Sequence, residues 1–294
     1  MSIQEREKRC AVTGTNGYLG SRLSRALEGA GWAVYRLSRQ GSEEKARAVP
    51  FSLAEGAPQD FFKREQIKAL VHCAYDFRLT SWADIFEQNV RGSIRLMEQA
   101  RAEGVEEIIF ISTMSAFEGC QSLYGKAKLL IEREAERLGA TVIRPGLIYG
   151  DEPGAMVGAL TRAVKSLPVV PLIGSGRQTL YLTHEDDLAT LVLRLLRLER
   201  ARVEGPIIAA SERGKTFRGI LTTLAAMNQR RVRLVPLPWR LFWGLLKASE
   251  ACGVKMGFRS DSVVSLVHQD PHPRFEATRK TGVHFRDFGA PLNS

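Results

Sequence analysis

Seven residues near the amino end constrain this chain more than any others: Gly14-Thr15-Asn16-Gly17-Tyr18-Leu19-Gly20. They stand between an apolar β-type run, residues 8–13, and residues 18–30, where Leu19, Leu23, Ala26 and Leu27 recur at helical spacing. Glycine at a strand-to-helix turn lets the backbone approach a bound group that a Cβ would hold away. The helix start adds N–H donors and the positive end of its dipole, so the turn suits a pyrophosphate. A plain tight turn would need neither the strand before it nor the helix after it.

The alternation continues. Strand patterns fall at residues 32–37, 48–51, 69–74, 107–111 and 140–143, and helical patterns at 58–65, 81–103 and 126–138. Strands separated by helices imply parallel pairing through right-handed crossovers, so we expect an α/β chain with an open, doubly wound parallel sheet. Beyond Pro145 the rhythm weakens, with Pro153, Pro168, Pro171, Gly174 and Gly176 between helices at 155–165 and 186–198. At ~150 residues per domain, 294 residues divide into a dinucleotide-binding domain over 1–150, to which 178–200 contributes, and a smaller lobe over 151–294. That lobe is expected to bind substrate at the carboxyl edge of the sheet, where such folds hold ligands.

Charge narrows the partners. The net +10 is concentrated in residues 151–294, with 21 basic and 13 acidic side chains against 21 and 19 in residues 1–150. This field suits an anionic small molecule or an anionic membrane surface, or it is a solvated face. Nucleic acid is not expected, since no recognition motif accompanies the charge. Pro238-Trp239-Arg240-Leu241-Phe242-Trp243-Gly244-Leu245-Leu246-Lys247 mixes aromatic bulk with cations. It reads as a helix packing the second lobe on the sheet domain, with a membrane interface or lipid-linked substrate as the alternative.

No run approaches the ~18 apolar residues of a membrane span, and MSIQEREKRC carries charges where a secretory leader is apolar. Cys10, Cys73, Cys120 and Cys252 are scattered, with no CxxC pair, so neither a metal site nor a disulfide framework is expected and a reducing cytoplasm fits.

The second strand ends Arg36-Leu37-Ser38-Arg39, with no acidic residue before Glu43. A free 2′-hydroxyl calls for Asp or Glu there and a 2′-phosphate for arginine, so NADP is favoured over NAD, with Ser38 and Arg39 as contacts. The competing reading leaves Arg39 in solvent. Further on, Tyr124 and Lys128 stand at i and i+4 on a helical face. An ammonium beside a phenol favours its ionised form and makes it a usable acid/base; the alternative is a neighbouring surface pair.

The glycine loop followed by Tyr124-Gly125-Lys126-Ala127-Lys128 resembles the short-chain dehydrogenase/reductase superfamily. His72-Cys73-Ala74-Tyr75, Asn89-Val90-Arg91-Gly92-Ser93, Arg144-Pro145-Gly146-Leu147-Ile148-Tyr149-Gly150 and His184-Glu185-Asp186-Asp187-Leu188-Ala189 resemble, in order, segments of its extended branch, the NAD-dependent epimerase/dehydratase family. The resemblance implies a Rossmann-type sheet and an NAD(P)-dependent epimerase or dehydrogenase/reductase. It implies catalytic roles for Thr113, with Ser115 as fallback, and for Tyr124, Lys128 and Asn89. It implies cofactor contacts at Gly14, Asn16, Gly17, Tyr18, Leu19, Ser38, Arg39, Leu53, Ala74, Tyr75, Asn89, Tyr124, Lys128 and Pro145. A homodimer through helices 81–103 and 124–138 follows from the same likeness, although Arg95, Glu132 and Arg133 would equally solvate a monomer.

Two departures matter. Met114-Ser115 stands where 4,6-dehydratases of the family carry Asp-Glu, and neither residue can shuttle a proton for elimination. Leu180-Tyr181 stands where its sugar-nucleotide epimerases carry Arg-Asp, leaving Arg177, Arg231 and Arg233 as candidate phosphate contacts and Ser115 as a further substrate contact. The favoured function is hydride transfer at a carbinol or carbonyl centre of a sugar nucleotide. The alternatives are an NADP-dependent reductase or dehydrogenase of an apolar, lipid-like alcohol or ketone, and a non-catalytic dinucleotide-binding scaffold.

Overall fold

The computed structural model describes residues 8–39, 47–150, 155–197, 204–253 and 258–290; Glu43, Pro153 and Leu198 lie outside them. β1 (Arg9–Thr13) leads through the glycine loop into α1 (Tyr18–Gly29). β2 (Ala33–Ser38), β3 (Ala48–Pro50), α2 (Phe61–Arg64) and β4 (Ala69–His72) follow. Next come α3 (Trp82–Asp84), a π-helical stretch over Ile85–Arg91, and α4 (Gly92–Ala102). β5 (Glu107–Ile111), α5 (Leu123–Arg137), β6 (Thr141–Pro145), β7 (Leu147–Tyr149) and α6 (Ala155–Ser166) lead into the second lobe. β8 (Val169–Ile173), β9 (Thr179–Leu180) and β10 (Leu182–His184) follow, and α7 (Glu185–Arg197) returns to the central sheet. β11 (Ile207–Ala209), β12 (Lys215–Thr216), α8 (Phe217–Met227), β13 (Arg233–Leu237), α9 (Trp239–Ala251), α10 (Ser260–Val267) and α11 (Glu276–Lys280) complete the order.

Seven strands form one parallel sheet in the order β11-β6-β5-β4-β1-β2-β3, a doubly wound, Rossmann-type arrangement. Register aligns Thr13 with Leu37 on one side and His72 on the other, and His72 with Phe110. The carboxyl ends of β1, β2, β4 and β5 therefore finish at one level, on either side of the point where strand order reverses.

Alternation through each strand sends side chains to both faces. Leu70 and Phe110 meet Leu96, Met97, Ala127 and Ile131 from α4 and α5, whereas Val71 and Ile109 meet Leu23, Leu27, Leu188 and Leu191 from α1 and α7. A third cluster, including Leu160, Leu172, Phe217, Leu221, Leu246 and Val263, holds the second lobe together. α9 packs Trp239, Phe242 and Leu246 into that lobe's own core rather than onto the sheet.

Two element boundaries and the exposure of one residue differ from the sequence reading. The helix expected over 58–65 is only α2, because Asp60 just before it takes the left-handed φ of 55° and cannot be helical. The helix expected from Lys126 starts at Leu123, where Ser122 caps it by accepting the Gly125 N–H at 3.0 Å. Glu132, read as an exposed charge on that helix, is buried beneath a bidentate pair with Arg144.

Candidate active site

The glycine loop is sealed against its neighbours. Gly14 has φ +71°, and a Cβ there would lie 3.0 Å from the Ala74 nitrogen; one on Gly20 would fall 2.3 Å from the Gly14 oxygen. The Gly17 N–H donates to the Gly14 oxygen at 2.9 Å, no side chain caps α1, and its first turn carries no acidic residue. A glycine turn packed this closely on β4 and on itself, leading into an uncapped helix start, fits the phosphates of a dinucleotide.

Thr13 ties this loop to β4. Its hydroxyl oxygen accepts the N–H groups of Cys73 at 3.0 Å and Ala74 at 3.1 Å, so its hydrogen points to His72 Nδ1, 2.7 Å away. His72 thus carries its proton on Nε2, which is buried without a partner among the described residues. Burial, with Lys128 nearby, pushes this imidazole down to about 3 and keeps it neutral.

The remaining expected cofactor contacts take varied positions. Asn16 is exposed, Leu19 packs on the core beside α1, and the Tyr18 hydroxyl donates to Glu185, which also pairs with Arg22. Ser38 is buried, and Arg39, 58% exposed, reaches Asp76 Oδ2 at 3.2 Å; the same carboxylate holds Arg78 at 2.5 Å. Hydrogen bonds from Arg78 hold the Asp76 carboxyl below its usual range. Leu53 is buried, its carbonyl so close to Gly92 that a Cβ there would come within 2.1 Å. Asn89, fully buried in the π-helical stretch, accepts the Asp76 N–H at 2.7 Å and donates to the Asp76 carbonyl at 3.1 Å.

Tyr124 and Lys128 both lie on α5. The Asp261 carboxylate, from α10, accepts the N–H groups of Leu123 and Tyr124 at 2.8 and 2.9 Å. The Tyr124 ring stands edge-on to Tyr75, centroids 4.9 Å apart, with Thr113 near its hydroxyl. Burial holds the Tyr124 phenol above its ordinary value, Thr113 draws it back, and Glu132 adds to the rise. Lys128 is buried, donates to the Ile111 carbonyl at 2.8 Å and lies 4.6 Å over the Phe110 ring. Burial draws its ammonium down to about 8. In this structure the phenol is therefore raised, whereas the sequence reading expected Lys128 to lower it.

Thr113, Met114, Ser115 and Pro145 line a pocket with Met156, Tyr181, Leu266 and Gln269, and no charged side chain faces it among the described residues. Arg177 sits elsewhere, in an open cavity shared with Thr216, Arg218 and Pro236, while Arg231 and Arg233 are exposed and line neither. A third cleft joins Tyr75 and Leu123 to Trp243, Lys247, Arg259 and Asp261. Asp261, Met156 and Gln269 had no local signal beyond the Ser260-Asp261-Ser262 helix-start composition. Among the described residues no group of acidic, histidine or cysteine side chains is placed to hold a metal, and no helix is long and apolar enough to cross a membrane.

Comparison with known proteins places this geometry. Residues 10–210 match the model of the NAD dependent epimerase/dehydratase family. UDP-glucose 4-epimerase of Mus musculus is 25% identical over 226 residues, 61% of this chain and 65% of that protein's length. Ceramide reductase of Caulobacter vibrioides is 27% identical over 239 residues, 78% of this chain and 73% of the relative. Among solved structures, UDP-glucose 4-epimerase of Thermotoga maritima with UDP-glucose superposes with a TM-score of 0.64 at 21% identity, covering 78% of this chain and 85% of the other. MoeE5 in complex with UDP-glucuronic acid and NAD superposes with 0.67 at 19% identity, covering 93% and 99%.

Proposed function

Because the chain belongs to the NAD-dependent epimerase/dehydratase family, an extended short-chain dehydrogenase/reductase, we propose that it moves hydride at a carbinol or carbonyl carbon of a sugar nucleotide. The observation that carries this reading is Thr113 near Tyr124, with Lys128 one helical turn further along α5 and the glycine loop following β1 at the same carboxyl edge of the sheet that Thr113 follows from β5. The sugar nucleotide is supported by the names of the epimerases and dTDP-sugar reductases the chain is similar to.

A bound nicotinamide dinucleotide supplies the site where hydride is accepted and returned. Gly14, Gly17 and the start of α1 hold its pyrophosphate through backbone N–H groups, and Asn16, Tyr18 and Leu19 border that turn. Leu53, Ala74, Tyr75 and Pro145 wall the cleft, and Ser38 with Arg39 selects a 2′-phosphate, hence NADP over NAD. Tyr124 takes the hydroxyl proton of the substrate at its phenolic oxygen, or returns it, while Thr113 orients the same oxygen. Lys128 holds the ribose, its buried ammonium already anchored on the Ile111 carbonyl. Asn89 keeps the Tyr75–Asp76 backbone in place. Tyr124→Phe is expected to lower turnover by ~10²–10⁴-fold with dinucleotide affinity unchanged, and retained turnover would overturn the assignment.

The uncharged lining around Thr113 and Ser115 favours a second reading, reduction of a neutral, apolar ketone. An epimerase retains the reduced nicotinamide through its cycle, whereas a reductase consumes it stoichiometrically. Net NADPH oxidation with an apolar ketone, and none with nucleotide sugars, selects the second reading. Dinucleotide binding with neither spectral change nor epimerised product across both substrate classes selects a scaffold instead.

A further inference from the structure

We propose that the outer face of α9, with the β13 ribbon leading into it, docks on the surface of an anionic lipid bilayer. The proposal is independent of the reaction assigned above. α9 turns Trp239, Phe242 and Leu246 into the lobe core, yet leaves Leu241 54%, Leu245 56% and Trp243 36% exposed. Leu241 and Leu245 are one turn apart on one side of the helix, with Arg240 beside them. On β13, Arg233 and Val235 share the outward side, and Arg233 pairs with Val169, itself 48% exposed, on β8.

The charge around this face is predominantly basic, with Glu250 near the end of α9 as an acidic exception that pairs with Lys247 at 3.9 Å. From Arg213 to Ser249 the chain carries Arg213, Lys215, Arg218, Arg230, Arg231, Arg233, Arg240 and Lys247 and no Asp or Glu. Apolar residues rimmed by cations on a helix too short to span a bilayer are the composition of a helix lying in the headgroup plane. Each Lys or Arg near an anionic leaflet adds attraction of ~1 kcal/mol, whereas a two-fold contact with a second copy would bring like charges together. Trp243 and Lys247, around the helix from Leu241 and Leu245, line the separate cleft that reaches Tyr75 and Leu123.

Flotation of the full chain with phosphatidylcholine vesicles, alone or containing about a third phosphatidylglycerol, tests this. We expect at least tenfold greater binding to the anionic vesicles, weakening as salt is raised. Leu241→Glu with Leu245→Glu abolishes it without changing the thermal midpoint or dinucleotide affinity, and Arg231→Ser with Arg233→Ser lowers partitioning by ~10-fold or more. A wild-type chain that stays unbound, or binding that both variants leave intact, overturns the proposal. A dimer that Leu241→Glu with Leu245→Glu splits assigns the face to a second copy and likewise overturns it.

Discussion

The carboxylate of Asp261 accepts the backbone N–H of Tyr124 at 2.9 Å, so a residue of the second lobe caps the helix that carries the proposed acid/base. Loss of a cap costs about 0.5–2 kcal/mol. Asp261→Ala is expected to lower stability by about that amount in denaturant titration and to reduce turnover more than dinucleotide affinity. Asp261→Asn keeps one oxygen acceptor and should fall between the two. An unchanged midpoint in the alanine variant would show that the lobe contributes nothing to holding α5.

His72 makes acid sensitivity a local property. Its imidazole sits at about 3 in the folded chain against an ordinary 6.5, because burial and Lys128 both oppose its charge. Between those values the unfolded chain binds a proton that the folded chain refuses, so this stability is intact above pH 6.5 and is lost as pH falls toward 3. The slope is about 1.4 kcal/mol per pH unit for one proton. His72→Asn, which keeps an acceptor for the Thr13 hydroxyl, should flatten the acid limb of stability against pH; an identical slope would place the proton uptake elsewhere.

Arg39 is expected to contribute a charge-assisted contact of ~1.5–3 kcal/mol to a 2′-phosphate, roughly tenfold to a hundredfold preference for NADP. In the structure it leans on Asp76, which Arg78 also grips. Ser38→Asp with Arg39→Ala should reverse the preference, and Asp76→Ala should increase it by releasing Arg39. Isothermal titration with each dinucleotide measures both, and equal wild-type affinities would leave Arg39 with no part in selection.

The two ends of α1 respond oppositely to the same substitution. Gly20→Ala drives a Cβ to 2.3 Å from the Gly14 oxygen, a backbone atom that cannot yield, and should cost about 1–3 kcal/mol together with most dinucleotide binding. Gly29→Ala meets nothing within 4 Å and should stabilise by about 0.4–1 kcal/mol. Thermal melts of the two variants are sufficient, and a Gly20→Ala protein with wild-type melting and binding would contradict the packing described.

What sequence reveals here follows the range of the interaction. The glycine loop, the buried strands and the Tyr124/Lys128 spacing are local patterns and were legible. The π-helical stretch was not, because residues 81–103 keep an overall helical apolar pattern while the wider turn at Ile85–Arg91 leaves Asn89 buried against Asp76. β11 escaped because a three-residue apolar run carries no decisive period. The partnership of Asp261 with α5 joins positions more than a hundred residues apart, beyond any window of periodicity.

β6 waits for its partner: between Pro145 and Ile207 the chain leaves to build much of the second lobe, then returns to lay β11 along the edge of the sheet. On a ribosome that edge stays open until residue 209 has emerged, a long-range closure of the kind that slows folding and exposes unpaired strand groups to other chains. A chain shortened to residue 200 would leave Ile143 and its neighbours uncovered for good, and the excursion is therefore also the interval in which a nascent molecule most needs a chaperone.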